Sequence, residues 1–325
     1  MGQPPLPGES CPLNTLVSGG AGFIGSHLCE ALLDAGHQVI CVDNLLTGRS
    51  ANIETLLPRS GFTFVQHDII EPLPADWPVE AVFNLASPAS PVGYFNNRIA
   101  TARVNSEGTF HLLELATRHR AMFLQASTSE VYGEPEVHPQ TEDYWGNVNP
   151  HGPRACYDEG KRYAEALTMD FHRVYDLDVR LIRIFNTYGP RSQPDDGRVV
   201  PNFICNALRG EPLPIYGAGS KTRSYCYVAD LVQGILKAQF TKGTTAQVFN
   251  LGNPDEFTLD ELAQLVLRLT GSSSSVEYLP DREDDPSRRR PDISRARSHL
   301  GWEPLIPLEQ GLGPTIDWFR SQLGS

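Results

Sequence analysis

The segment GGAGFIG at residues 19–25 decides the fold of this chain. It follows the apolar run 14–18 and precedes an amphipathic stretch at 27–34, which is the pattern of a strand, a tight turn and a helix. Glycines in such a turn let backbone N–H groups approach a pyrophosphate at the N-terminus of the helix. The segment therefore predicts a dinucleotide site, with a plain strand–helix turn as the alternative. Its glycines fit both GxGxxG, at Gly20, Gly22 and Gly25, and GxxGxxG, at Gly19, Gly22 and Gly25.

Beyond this unit the chain alternates short apolar runs with amphipathic stretches. Most of the runs carry apolar residues at consecutive positions, which is typical of strands buried on both faces of a sheet. The repeating order predicts an α/β fold, a Rossmann-like doubly wound parallel sheet. The predicted strands are 38–42, 63–66, 81–85, 122–126 and 179–184, and the predicted helices between them include 106–119 and 160–174.

The domain organisation changes after residue 186, where the chain becomes richer in Pro, Gly and polar residues. A strand at 246–251 is expected to return to the sheet, and a helix is expected at 258–269. The predicted division is a Rossmann domain at 13–185 with a returning segment at about 225–255, a smaller C-terminal substrate-binding lobe from 186–224 and 256–325, and a Pro-rich disordered tail at 1–12.

Composition excludes several classes of function. The net charge of -12 argues against nucleic acid or an anionic membrane as a partner, because both need a basic face. No run approaches the length of a membrane span, and the first residues lack the regions of a signal peptide. The six cysteines contain no CxxC pair and the nine histidines no HExxH motif. We therefore expect a cytoplasmic protein that binds no metal.

Asp43 follows the second predicted strand, where a carboxylate accepts hydrogen bonds from a ribose diol and repels a 2′-phosphate. This favours NAD over NADP, although Arg49 lies six residues further on and Asp43 could instead cap a turn. Asp68 and Ile69 are expected near the adenine. The remaining candidate cofactor contacts are Phe23, Ile24, Asn44, Leu85 and Ala86.

Tyr157 and Lys161 are four residues apart and share one face if the segment is helical. An adjacent ammonium favours the anion of a phenol, which makes Tyr157 a candidate base for an alcohol proton. Lys161 is also a candidate for holding the ribose of a nicotinamide. The alternative is a solvent-facing Tyr beside a surface Lys.

These motifs resemble the extended short-chain dehydrogenase/reductase family, which modifies nucleotide sugars. The resemblance implies that Thr128, within STSEVYG at 127–133, hydrogen-bonds the sugar 4-hydroxyl beside Tyr157. In 4,6-dehydratases an Asp-Glu pair follows this Thr, and in simple 4-epimerases both residues are small. Here Ser129 replaces the Asp while Glu130 remains, a combination that suits a carboxylate near carbon 5 without elimination of a hydroxyl.

Longer segments resemble UDP-glucuronate decarboxylases, the UDP-xylose synthase family, from about residue 14 to the C-terminus. They are LASPASP at 85–91, HPQTEDYWGNVNPHGPRACYDEGKR at 138–162, RIFNTYGPR at 183–191, DDGRVVPNFI at 195–204 and NLGNPDEFT at 250–258. The N-terminal membrane anchor of animal relatives has no counterpart here.

The resemblance implies a carboxy-lyase reaction with bound NAD. UDP-glucuronate is oxidised transiently at carbon 4, loses CO2 from the 4-keto acid, is protonated at carbon 5 and is reduced to UDP-xylose. Three alternatives stay open: a 4-epimerase or 4,6-dehydratase, a decarboxylase that releases the 4-keto pentose, and a non-catalytic NAD sensor.

The substrate is anionic, so its cationic partners must be found within an acidic chain. The resemblance places Arg289 near the sugar carboxylate, although a solvated charge run is the bland interpretation of RRR at 288–290. Arg191 and Arg223 are candidates for the pyrophosphate, where a guanidinium fork suits two oxygens. The other candidate substrate contacts are Tyr94, Asn186 and Tyr216.

Glu130 poses a problem, because a carboxylate that faces a carboxylate substrate is repelled. Either Glu130 is protonated in the complex or Arg289 neutralises the pair. The resemblance also implies a homodimer, formed through helices at 106–119 and 157–175.

Overall fold

The computed structural model describes residues 11–194, 196–217, 219–280 and 288–324. The predicted N-terminal tail lies outside these ranges except for its last two residues. The helices are α1 Phe23–Asp34, α2 Pro91–Asn96, α3 Arg98–Arg103, α4 Thr109–His119, α5 Ala155–Tyr175, α6 Val199–Arg209, α7 Val228–Phe240, α8 Leu259–Thr270 and α9 Leu308–Leu323. The strands are β1 Asn14–Ser18, β2 Gln38–Asp43, β3 Phe62–Gln66, β4 Ala81–Asn84, β5 Met122–Thr128, β6 Val179–Ile184, β7 Thr187–Tyr188, β8 Leu213–Tyr216, β9 Thr222–Ser224, β10 Cys226–Tyr227, β11 Gln247–Leu251, β12 Glu256–Thr258, β13 Val276–Leu279 and β14 Arg288–Arg289.

A seven-stranded sheet forms the centre of the fold, in the order β11-β6-β5-β4-β1-β2-β3. All of its neighbouring strands are parallel. Its central strands are buried on both faces, as the consecutive apolar residues of β1 and β4 required. The order reverses direction between β1 and β4, which is the switch point where doubly wound sheets bind ligands. The predicted fold class is confirmed.

The glycine turn between β1 and α1 depends on two close approaches. Gly19 has φ of +70°, a left-handed conformation that glycine adopts without strain. Gly25 lies so near this turn that a Cβ atom on it would stand 2.1 Å from the carbonyl oxygen of Gly19. The absence of side chains at these positions brings the first turn of α1 against the end of β1.

The C-terminal half adds small sheets above the carboxyl edge of the large one. β8 pairs with β13, and β9 lies between β12 and β14. α6, α8 and α9 pack there around a separate apolar cluster that includes Phe203, Leu262 and Phe319. α7 and β11 return to the large sheet. The division into a Rossmann domain and a C-terminal lobe stays a prediction.

Several predicted boundaries are wrong by one or more residues, and the errors at the start of α5 and at the end of β5 affect the site. α5 begins at Ala155 rather than at 160, so Tyr157 and Lys161 both lie in its first turns. The predicted helix 106–119 is interrupted, because Val104–Gly108 form a π-helical turn before α4. β5 extends two residues further than predicted and ends at Thr128. None of the described helices is long and apolar enough to cross a membrane.

Gly25→Ala tests the close packing of the glycine turn. The added methyl group collides with backbone rather than with a movable side chain, so we expect the variant to lose about 2 kcal/mol of unfolding free energy. Gly313→Ala is the matched control, because a Cβ atom there meets nothing within 4 Å in the interior of α9. The control should change stability by less than about 0.5 kcal/mol, because the higher helix propensity of Ala is opposed by the proline that follows it at position 314. Urea unfolding measures both, and equal stabilities would contradict the packing described.

Candidate active site

A cavity of about 440 Å³ opens at the carboxyl ends of β1 to β6, between the large sheet and the C-terminal lobe. Ligands of doubly wound folds bind in this crevice. Every residue that the sequence suggested as a contact or catalytic group lines it. These residues are Gly19, Gly22, Phe23, Ile24, Gly25, Asp43, Asn44, Asp68, Ile69, Leu85, Ala86, Tyr94, Thr128, Ser129, Glu130, Tyr157, Lys161, Asn186, Arg191, Tyr216, Arg223 and Arg289.

Asp43 holds the glycine turn in place. Its carboxylate accepts the backbone N–H of Ala21 at 3.0 Å and that of Leu45 at 2.8 Å. Burial raises the pKa of Asp43, and these two hydrogen bonds oppose the rise. The cap that the sequence offered as an alternative is therefore present. Each carboxylate oxygen keeps a further lone pair for a ribose hydroxyl, so both roles are compatible.

Asn44 and Asp68 extend this end of the cavity. Asn44 Nδ2 donates to Asp68 Oδ2 at 2.9 Å, and the other oxygen of Asp68 accepts the N–H of Ile70 at 3.1 Å. The glycine turn, the carboxylates of Asp43 and Asp68 and the absence of side chains at Gly19 and Gly22 give this end the form of a dinucleotide cradle.

Arg191 lies against the helix that follows the glycine turn. Its Nη2 donates to Glu30 Oε2 of α1 at 2.6 Å. Its Nη1 is buried and has no hydrogen-bond partner among the residues the structure describes. A buried guanidinium nitrogen without a partner is costly unless a ligand oxygen accepts from it. One terminal nitrogen of Arg191 is thus held by Glu30, and the other is available to a phosphate oxygen.

Lys161 is buried, and its ammonium group has one hydrogen bond, from Nζ to the carbonyl oxygen of Ala126 at 3.0 Å. Burial lowers the pKa of Lys161 to about 7, and the carboxylate of Glu165 offsets only part of this. Its Nζ lies 5.9 Å from the centre of the Tyr157 ring. Lys161 can therefore exchange a proton near neutral pH.

Tyr157 is buried beside Thr128. Burial raises the pKa of its phenol, while the hydrogen bond with the Thr128 side chain lowers it. The expectation that the neighbouring ammonium lowers the pKa of Tyr157 is wrong, because burial of the phenolate outweighs it, and its role as the base stays a prediction. The ring of Tyr94 stacks on Tyr157, with ring centres 5.2 Å apart and planes at 9°. This stacking fixes the orientation of the phenol.

Glu130 forms the centre of the charged end of the cavity. Its side chain is 14% exposed. Arg289 donates to it from both terminal guanidinium nitrogens, and Arg289 Nη2 lies 2.9 Å from Glu130 Oε2. Burial alone raises the pKa of Glu130, but the charges of Arg289 and Arg154 outweigh it and hold the pKa below its ordinary value. Glu130 is therefore ionised in this structure, where Arg289 and Arg154 neutralise its charge.

Arg289 reaches this position because β14 is held on two sides. Arg289 pairs with Arg223 in the register of β14 and β9. On the other side, the N–H of Arg290 donates to the side-chain oxygen of Gln140 at 2.9 Å, and the N–H of Gln140 donates to the carbonyl of Arg290 at 2.9 Å. Arg289 is 6% exposed. The alternative interpretation of the arginine run as a solvated charge cluster is wrong for Arg289.

The remaining predicted contacts surround these groups. Ser129 is buried at the start of a 3-10 turn, in which the Thr128 hydroxyl accepts the N–H of Glu130 at 3.2 Å. The backbone carbonyl of Asn186 accepts the N–H of Cys226 at 2.9 Å. Arg223, in β9, is buried. Within the described ranges no group of three or more His, Cys, Asp or Glu residues is arranged to hold a metal ion.

Comparison with known proteins gives a consistent result. Residues 16–315 match the family model described as GDP-mannose 4,6 dehydratase. UDP-glucuronic acid decarboxylase 1 of Danio rerio is 51% identical over 95% of this chain and 73% of its own length. UDP-glucuronic acid decarboxylase 2 of Arabidopsis thaliana is 49% identical over 99% of this chain and 72% of its own length. The chain belongs to the UDP-glucuronic acid decarboxylases of the extended short-chain dehydrogenase/reductase family.

A solved structure extends the comparison to the site of this decarboxylase family member. The UDP-glucuronic acid 4-epimerase of Bacillus cereus, in complex with UDP-glucuronic acid and NAD, superposes with a TM-score of 0.86. It is 28% identical and covers 95% of this chain and 100% of its own. The scaffold is therefore shared with enzymes whose reaction differs after the sugar has bound.

Two residues of this family member's site escaped the sequence reasoning. Arg154 Nη2 donates to Glu130 Oε2 at 2.5 Å. Asp158 is buried beside Arg154, and burial, followed by the charge of Glu130, raises its pKa to about 7. Both lie in the segment 138–162 that carried the resemblance. Arg154 is three residues before Tyr157 and Asp158 is one residue after it, and this closeness to Tyr157 was the signal that could have found them.

Lys161→Met tests the burial of the ammonium group. The pKa of Lys161 falls from 10.5 to about 7 on folding, so the unfolded chain binds this proton more tightly than the folded chain. Burial of the charged amine therefore lowers the unfolding free energy by its full amount below about pH 7. We expect Lys161→Met to raise the unfolding free energy by on the order of 2 kcal/mol at pH 7.

This gain should shrink as the pH rises from about 7 towards 10.5, because the unfolded amine then loses its proton too. Thermal unfolding at pH 7 and pH 9.5 measures it. Lys242→Met, at an exposed position, is the control and should gain little at either pH. A Lys161→Met protein less stable than the parent would show that the buried amine is not a cost.

Proposed function

We propose that this chain is an NAD-dependent UDP-glucuronate decarboxylase that forms UDP-xylose through a UDP-4-keto intermediate. One observation carries the proposal. An ionised Glu130, bound by Arg289 and Arg154, faces the same cavity as Tyr157 and the glycine turn. A base for a sugar hydroxyl, a cation for a sugar carboxylate and a dinucleotide cradle are together what this reaction needs.

The cofactor end fits NAD. The turn at Gly19 and Gly22 leaves backbone close to the cavity, and Asp43 disfavours a 2′-phosphate. Lys161 lies where its Nζ can hold a ribose hydroxyl beside Tyr157. When bound, NAD supplies the transient oxidation and re-reduction at carbon 4 of the sugar, so it leaves the cycle unchanged.

Tyr157 acts on the 4-hydroxyl of the sugar. In its phenolate form Tyr157 takes the hydroxyl proton, while the hydrogen bond with Thr128 holds the phenolic oxygen in place. The resulting ketone is β to the carboxylate, so it accepts the electron pair released when CO2 leaves. Tyr94, stacked on the phenol, keeps the ring aligned with the sugar during both proton transfers.

Glu130 and Arg289 distinguish decarboxylation from its competitors. Arg289 provides a cation for the substrate carboxylate and for the enolate that follows. A 4,6-dehydratase needs an acid to protonate a departing hydroxyl, and Ser129 cannot serve as one because its hydroxyl is not acidic near neutral pH. A 4-epimerase on this scaffold stays the main competing function, since the B. cereus enzyme binds the same nucleotide sugar named in its structure.

A homodimer is part of the proposal. α4 and α5 share an exposed apolar surface, and such patches are typical of protein interfaces. Its members, with the neighbouring α3, are Ile99, Phe110, Tyr163, Val174 and Tyr175. The cytoplasmic location is also proposed, in keeping with six free cysteines.

Incubation of the purified protein with UDP-glucuronate and NAD+ tests the function. Mass spectrometry should show a nucleotide sugar that has lost CO2, whereas an unchanged mass with altered chromatography indicates epimerisation. Accumulation of NADH would show that the 4-keto pentose is released instead. A protein that leaves UDP-glucuronate unchanged would contradict the proposal.

Tyr157→Phe tests the base. Removal of the phenolic oxygen should lower kcat by about 10²–10⁴-fold and leave NAD bound, because the ring still fills its place beside Tyr94. Tyr278→Phe, at an exposed position that does not line the cavity, is the control and should keep the parent rate. An unaffected rate in Tyr157→Phe would remove Tyr157 from the mechanism.

A further inference from the structure

Arg154 stands where the charged cluster meets the catalytic helix. It is the residue directly before α5, three positions ahead of Tyr157. Its side chain is 15% exposed and lines the cavity. Its guanidinium lies near the Oε2 atom of Glu130 at 2.5 Å, the Oδ2 atom of Asp158 at 3.9 Å and the ring of Tyr94 at 5.9 Å. The chemistry described so far gives this second arginine no task.

We propose that Arg154 is a positioning residue that balances the charge of Glu130 so that Arg289 can bind the carboxylate of the substrate. This inference rests on the proposed function and deepens it. It assigns the preference for a sugar acid over a neutral sugar to a pair of arginines that share one carboxylate, rather than to Arg289 alone.

The atoms of the cluster show how the exchange works. Glu130 Oε2 accepts from Arg154 and from Arg289, whereas Oε1 accepts from Arg289. When Arg289 turns to a ligand carboxylate, Oε2 keeps its bond to Arg154. Without Arg154 the same movement would leave Glu130 buried, ionised and unpaired, which is strongly unfavourable. Arg289 would then be held by Glu130 and unavailable to the ligand.

The charge balance supports the same assignment. A sugar carboxylate can be bound by Arg289 only when Arg289 turns away from Glu130, whose ionised carboxylate then depends on Arg154. A neutral sugar requires no release of Arg289 from Glu130. Arg154 should therefore affect the binding of sugar acids and leave neutral sugars of the same nucleotide almost unaffected.

Arg154 is held in place by groups other than Glu130. Asp158 lies one helical turn further along α5, and its Oδ1 atom is buried without a hydrogen-bond partner among the described residues. Burial raises the pKa of Asp158 to about 7, so near neutral pH it competes only in part for Arg154. The aromatic face of Tyr94 bounds the guanidinium on another side. The arginine thus has a defined position when Arg289 leaves.

Binding measurements test the proposal without turnover. In a Tyr157→Phe background loaded with NAD, titration calorimetry would give the Kd of UDP-glucuronate and of UDP-glucose. Adding Arg154→Gln should weaken UDP-glucuronate by about tenfold or more, since about 1.4 kcal/mol corresponds to each factor of ten. UDP-glucose should change by less than about twofold. Arg154→Lys keeps the charge, so its Kd for UDP-glucuronate should lie between that of the background and that of Arg154→Gln.

A double variant isolates the charge relation from a merely structural role. Glu130→Gln removes the carboxylate that Arg154 balances, so adding it to Arg154→Gln should return the Kd of UDP-glucuronate to within about threefold of the background. Equal weakening of both nucleotide sugars, or no recovery in the double variant, would overturn the proposal. If Arg154→Gln does not fold, the same comparison is made with Arg154→Lys, in which absence of any selective loss would overturn it.

The result is separable from the proposed function. If the wild-type protein does not decarboxylate UDP-glucuronate, the function fails whatever Arg154 does. If the wild-type protein does so while Arg154→Gln in the non-reactive background binds UDP-glucuronate as tightly as the background itself, the function stands and the role of Arg154 is wrong.

Discussion

The structure depends on keeping one carboxylate ionised inside a cavity. Glu130 lies just after β5, and burial opposes its charge unless cations compensate. One cation comes from the start of α5 and the other from β14, which pairs with the small sheet of the C-terminal lobe. The lobe is therefore more than a cover for the cavity. It delivers the guanidinium that lets a carboxylate persist in a pocket where an unpaired charge would be neutralised by a proton.

Much of the fold and of the candidate site was predictable from the sequence. The glycine turn, the buried strands and Tyr157 with Lys161 are local patterns, and each of the nominated residues lines the same cavity. Arg154 was missed because its role arises from proximity to Glu130, 24 residues away, which no periodicity reveals. The pKa of Tyr157 was misjudged for a related reason, since spacing shows that Lys161 is near but not how completely both groups are removed from water.

The relation to epimerases illustrates how little separates reactions on this scaffold. The UDP-glucuronic acid 4-epimerase of B. cereus shares this fold with a TM-score of 0.86 at 28% identity, so the fold alone does not decide the reaction. In this chain Ser129 stands beside an ionised Glu130, and the neighbour of Arg289, Arg290, is held by hydrogen bonds to Gln140.

The pairing of Glu130 with Arg289 joins positions 159 residues apart in the chain. Contacts of such separation form late in folding, because the entropy of closing the intervening loop must be overcome first. During synthesis the N-terminal strands and the glycine turn can assemble before the arginine has left the ribosome. The nascent domain then possesses a cofactor cradle without the means to hold a sugar acid. The ability to act on substrate is thus among the last properties the growing polypeptide acquires.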